Sequence, residues 1–227
     1  MFQTSFNMKH NQITIRCSAT AFYLCQVQQE REESVITSGY VEEKLPVILF
    51  FLEQKTWSLL DLSQSLTRAK MFDLGFRHFV GVDGSEGMLE KAEKTGLYQD
   101  LKLVLLGPQP LPVQTDVFDV VTIVGALDAG FVPVSAVREL CRAAKPGGFV
   151  CLMRGNHRGA PAASYKKDLE TELQQMEEEG LWSRVAIQEV DRYMEDPHLN
   201  IERDGKTEQQ VSYISGNVYF YKKSVSP

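Results

Sequence analysis

Phe79-Val80-Gly81-Val82-Asp83-Gly84-Ser85 is the stretch from which the rest of this chain is read. It is an apolar run that closes on an acid and a Gly-Ser turn. An acid at the end of the second strand of a βαβ unit is placed to accept hydrogen bonds from the hydroxyls of a ribose. The usual companion of such an acid is a glycine-rich loop after the first strand. That companion is missing upstream, where no glycine stands between Gly39 and Gly75.

Downstream of the quoted stretch, Ser85 reads as a helix N-cap. Met88, Leu89 and Ala92 supply the inward face of the helix that follows, and Gly96 ends it in the manner of a left-handed C-cap residue. Residues 101–106 read as a third strand and the segment Gly107-Pro108-Gln109-Pro110-Leu111-Pro112 as a loop. Residues 118–124 form a nearly continuous apolar strand of the kind that fills the centre of a parallel sheet. A helix over 133–144 carries Val137, Leu140, Cys141 and Ala144 on one stripe. Lys145-Pro146-Gly147-Gly148 is a sharp reversal into a fifth strand, 149–153. A charged helix over 165–181 and strands at 185–190 and 211–221 complete this half, with 196–205 as a loop joining an antiparallel pair.

Upstream, the pattern predicts a helix over 42–54, a short first strand over 57–61 that ends at Asp61, a helix over 63–72 and the second strand, 78–83. Residues 1–40 show no clean period and read as an irregular N-terminal arm. Residues 41–227 then form a single α/β domain, a doubly wound three-layer sheet whose ligands lie over the carboxyl ends of the strands.

Composition narrows the function classes. The net charge of −6 and the isolation of the basic pairs Lys166-Lys167 and Lys222-Lys223 argue against nucleic acid as a partner. Cys17, Cys25, Cys141 and Cys151 form no Cys-x-x-Cys pair. Buried thiols in a reduced, intracellular protein are expected, cytoplasmic first, with a nuclear or mitochondrial address as the alternative. The longest apolar run, residues 45–52, is too short for a membrane span of about 20 residues. No metal ligand set is expected. Neither Gly-x-Gly-x-x-Gly nor a P-loop lysine motif is present, so no phosphate cradle can be read.

With these residues in place, the chain resembles the class I S-adenosylmethionine-dependent methyltransferases. The resemblance is carried by Val80-Gly81-Val82-Asp83-Gly84-Ser85 with Met88-Leu89, by Phe118-Asp119-Val120-Val121 and by Lys145-Pro146-Gly147-Gly148-Phe149. It implies a seven-stranded sheet in the order 3-2-1-4-5-7-6 with the last strand antiparallel, and S-adenosylmethionine as cofactor. It assigns Asp83 to the ribose hydroxyls, Gly84 and Ser85 to close backbone approach, Met88 to the adenine, Leu106 and Gly107 to the ring's flank, and Gly125 to the methionine side.

Asp61 stands 22 residues before Asp83, and Asp61-Leu62-Ser63-Gln64-Ser65-Leu66-Thr67 occupies the place of the family's first glycine motif. Asp61 and Ser63 are therefore candidate cofactor contacts, in a loop whose glycines are replaced. Each forced left-handed residue there costs about 1 to 2 kcal/mol. The implied function is methyl transfer to a small-molecule or protein acceptor. The alternative is a methyltransferase-fold binding or scaffold protein with weakened or lost cofactor binding. Methyl transfer is an in-line displacement that positioning alone can drive far, so the sequence demands no catalytic base. His157, just past the fifth strand, reads as a solvent-facing loop histidine, with a general base at the cleft mouth as the alternative.

Overall fold

The computed structural model describes residues 46–50, 78–195 and 213–225. In chain order these give β1 (Pro46–Phe50), β2 (His78–Asp83), α1 (Glu86–Lys94), β3 (Asp100–Leu103), β4 (Phe118–Val124), α2 (Ala136–Ala143), β5 (Ala144–Gly155), α3 (Ala160–Glu178), β6 (Trp182–Glu195) and β7 (Tyr213–Lys223). The strands form one mixed sheet in the order β3-β2-β1-β4-β5-β7-β6. Pairing is parallel from β3 to β5, and β7 runs antiparallel to both β5 and β6.

Alternation along the strands explains the layers. Val121 and Ile123 of β4, Val150 and Leu152 of β5, and Tyr219 and Tyr221 of β7 belong to one buried cluster with Val137 and Leu140 of α2 and Leu169, Leu173 and Met176 of α3. Their neighbours Val120, Phe149, Cys151, Met153, Val218 and Phe220 belong to a second cluster. Successive side chains of a strand point to opposite faces, so runs that are apolar throughout must be covered on both. Arg138 ties α2 to α3, donating from Nε to Glu172 at 2.5 Å and from Nη1 and Nη2 to Glu179 at 2.6 and 3.0 Å.

Several elements differ from the sequence reading. Residues 46–50 form a strand, whereas the pattern predicts a helix over 42–54. An apolar run this short has no decisive period. Pro46 opens the strand, where its missing N–H is tolerated, and the run pairs on both edges, with β2 and with β4. Among the described residues, the strand that lies between β2 and β4 is therefore 46–50, the place in the sheet that the sequence pattern gives to 57–61. The arm over 1–40, the strand over 57–61, the helix over 63–72 and the loop over 196–205 lie outside the described residues.

The third strand stops at Leu103 instead of Leu106. The Lys145-Pro146-Gly147-Gly148 reversal is absorbed into β5 as a bulge: Ala144 pairs with Phe118, and pairing resumes at Phe149 with Val120. Gly147 takes φ +76°, and a Cβ on Gly148 would stand 2.9 Å from the Lys145 carbonyl oxygen and 3.0 Å from that of Asp119. Residues 133–135 form a turn ahead of α2, α3 begins five residues earlier than expected, at Ala160, and β6 extends to Trp182 and Glu195. No helix among the described residues is long and apolar enough to cross a membrane.

Candidate functional site

The parallel strands end on one edge of the sheet, and their registers level the ends. Phe50 of β1 pairs with Val82 of β2 and with Ile123 of β4. Asp83 and Val124 therefore stand one residue beyond it on either side of the chain leaving β1. Asp83 is also the partner of Leu103, the last residue of β3, and Val124 that of Met153 in β5. In open α/β sheets this is the edge where ligands bind.

Asp83 is 1% exposed, and its Oδ1 accepts the Ser85 N–H at 2.7 Å. Its main-chain carbonyl accepts the Val104 N–H at 2.9 Å, which fixes the exit of β3 against that of β2. Ser85 caps α1 as the sequence predicts, its Oγ accepting the Met88 N–H at 3.4 Å. Gly96 closes the helix at φ +64°. Gly84 lies where a Cβ would overlap the Leu105 side chain. That contact brings the segment after β3 over the acid-bearing turn, and it marks Leu105, 70% exposed, as a residue the sequence reading passed over.

Of the other sequence candidates, Met88 is half-buried on α1. Leu106 is turned toward the core shared with α2 and α3, so it is Leu105 that meets the turn. Gly107 lies against Gln109, whose Nε2 donates to the Leu105 carbonyl at 2.8 Å. Gly125 leaves β4 at φ +74° and donates its N–H to the Met153 carbonyl at 2.8 Å. Asp61 and Ser63 lie outside the described residues. The fold thus gathers Asp83, Gly84, Ser85 and Leu105 on one side of the β1 exit and Gly125 on the other.

A polar cluster sits beyond Gly125. Arg154, one residue before the end of β5, is 1% exposed and donates from Nε to the Leu127 carbonyl at 3.1 Å and from Nη2 to Asp128 Oδ1 at 3.3 Å. Its Nη1 has no hydrogen-bond partner among the described residues, and its Cζ lies 5.8 Å from the centre of the Tyr165 ring. Burial pushes the Tyr165 phenol well above its ordinary range, so it stays a neutral donor, bonded to the Val132 carbonyl at 2.6 Å. Asp128 Oδ1 also accepts the Ala129 N–H at 2.8 Å, while Oδ2 lies 3.5 Å from His157 Nε2. The imidazole is 22% exposed, so His157 is not the solvent-facing loop residue the sequence suggested. A buried arginine closing the apolar run of β5 was the one visible signal of this cluster, since such a charge must find a partner. Among the described residues no group of three or more His, Cys, Asp or Glu is placed to hold a metal ion.

Comparison with known proteins bears on the fold and the domain. A family model described as a methyltransferase domain matches residues 63–152. Methyltransferase-like protein 27 of Homo sapiens is 45% identical over 127 residues, which are 56% of this chain and 51% of the relative. The match thus spans about half the length of that relative. Among solved structures, a chain from the complex between the Haloferax volcanii Trm112 methyltransferase activator and a methyltransferase superposes with a TM-score of 0.51 at 14% identity, covering 94% of this chain and 96% of that one. A Bacillus halodurans protein described as a methyltransferase gives a TM-score of 0.51 at 14% identity, covering 88% and 98%.

Proposed function

We infer that this chain is a class I methyltransferase by the domain it carries, that it binds S-adenosylmethionine over the carboxyl edge of its sheet and that it passes the methyl group to an acceptor. The observation that carries the reading is the Asp83-Gly84-Ser85 turn, level with Gly125 across the end of β1. The residues present fit the cofactor. Asp83 is a carboxylate with acceptor capacity only, and vicinal ribose hydroxyls are paired donors. Gly84 leaves the backbone bare beneath Leu105, so an apolar wall and an acid stand side by side, as a nucleoside requires.

In this arrangement Asp83 would take the ribose, Leu105 and Met88 would supply apolar surface to the adenine, and the turn at Gly125 would line the methionine side. Bound there, the sulfonium supplies an electrophilic methyl group. The chain's own contribution is to hold an acceptor in line with it and to exclude water, which is worth several kcal/mol. The scaffold alternative rested on the loop around Ser63, and no observation among the described residues favours it.

Calorimetric titration of the full chain with S-adenosylmethionine and with S-adenosylhomocysteine tests the reading. Saturable one-site binding is expected, weakened roughly 10- to 100-fold by Asp83→Asn, the loss of about one or two charge-assisted hydrogen bonds. Absence of heat with either ligand at millimolar concentration would refute it.

A further inference from the structure

On the reading that this chain transfers methyl groups, we propose that His157 takes the proton from the acceptor's nucleophile, with Asp128 and Arg154 as the residues that position it. Three points of the chain meet to build the group: the loop leaving β4, the end of β5 and the segment after it. Arg154 is nine-tenths buried and more, and a buried guanidinium is tolerated only when paired. Its pairing is to the Leu127 carbonyl and to Asp128 Oδ1, so its charge fixes the β4 exit loop. With the Ala129 N–H on the same oxygen, Oδ1 is fully engaged and Oδ2 is directed to the imidazole.

Gly155 completes the fit. A Cβ there would stand 3.0 Å from His157 Nε2, so glycine gives the ring room to fold back toward Asp128. A carboxylate beside an imidazole holds the ring in orientation and steadies the imidazolium that forms when the ring takes a proton. The group lies past Gly125, on the side of the β1 exit away from Asp83, where an acceptor would approach the methyl group.

The step balances without a further reagent. The acceptor's nucleophile forms a bond to the methyl carbon, the carbon–sulfur pair goes to sulfur to leave a neutral thioether, and the nucleophile's proton passes to His157 and then to solvent. Such a base is needed only by a nucleophile that still carries its proton at neutral pH. The inference therefore selects hydroxyl or amine acceptors over thioethers and ionised carboxylates.

The test measures transfer of a labelled methyl group from S-adenosylmethionine by the full chain to the small-molecule and protein fractions of a cell extract, with S-adenosylhomocysteine affinity measured in parallel. His157→Ala is expected to lower turnover about 100-fold or more, to leave that affinity unchanged and to regain activity with added imidazole. His157→Gln, which keeps the ring's approximate volume, is expected to fall equally without rescue, and Asp128→Asn to lower turnover with the affinity unchanged. Turnover of His157→Ala or His157→Gln close to that of the parent overturns the proposal. So does a chain that binds S-adenosylhomocysteine and methylates nothing in either fraction, or a product that is a carboxyl ester. In these cases the cofactor reading stands. A chain that binds neither cofactor form removes that reading itself.

Discussion

Asp83 and Glu139 are both carboxylates tied to backbone N–H groups, and they do different work. Asp83 closes a strand at the ligand edge, whereas Glu139 sits on α2 and accepts the Leu111 N–H and the Arg142 Nε–H, each at 2.9 Å. Partial burial pushes the Glu139 carboxyl up, but the Arg142 hydrogen bond, the Leu111 N–H and the Arg142 charge together outweigh it and hold its pKa below the ordinary 4.5. A depressed carboxylate stabilises the fold above its unfolded pKa and loses that contribution as pH falls through the folded value. Glu139→Gln should therefore cost about 1 to 2 kcal/mol at pH 7. The difference from the parent should narrow as denaturation is followed below pH 4.5, and a gap constant down to pH 2 would contradict the assignment. Cys151 offers a second check at this scale. Burial pushes its thiol up to about 12, so site-resolved mass spectrometry should find it unalkylated by iodoacetamide at neutral pH until the chain is unfolded.

At the scale of elements, the bulge in β5 is the most exacting piece of backbone. A side chain at Gly148 would press on the carbonyl oxygens of Lys145, Asp119 and Phe118, which belong to paired strands and cannot move aside. Gly148→Ala should cost about 1 to 3 kcal/mol, read as a fall in the midpoint of urea unfolding. Gly96, at φ +64° with nothing within 4 Å of a Cβ, serves as the comparison: Gly96→Ala should carry only the left-handed penalty of about 1 kcal/mol. Gly148 takes no left-handed φ, so a Gly148→Ala variant as stable as the parent would show that the contact with these carbonyl oxygens does not matter.

The same elements show what was legible. The ends of α1 could be read because Ser85 and Gly96 act within one turn of chain, and β2 and β4 because each alternates or runs apolar between clear boundaries. β1 could not, since the four apolar residues that follow Pro46 in it suit a helix as well as a strand until two neighbouring strands pair with them. The Pro-Gly-Gly segment reads as a turn, but only the register against Phe118 and Val120 makes it a bulge. Arg154 and Asp128 meet across 26 residues, and no local pattern announces such a contact.

For the whole molecule, the two clusters on the faces of the sheet hold the strand ends level, and the ligand edge is a consequence of that levelling. A ligand seated there should raise the melting temperature with its concentration, by about 2.7 kcal/mol of stabilisation at a hundredfold excess over Kd. The most direct test of where it sits is an experimental structure of the full chain with S-adenosylhomocysteine. The account predicts the ribose hydroxyls on the Asp83 carboxylate, the adenine against Leu105 and the thioether beside Gly125. A nucleoside bound elsewhere, or one on this edge that leaves Asp83 untouched, would contradict it.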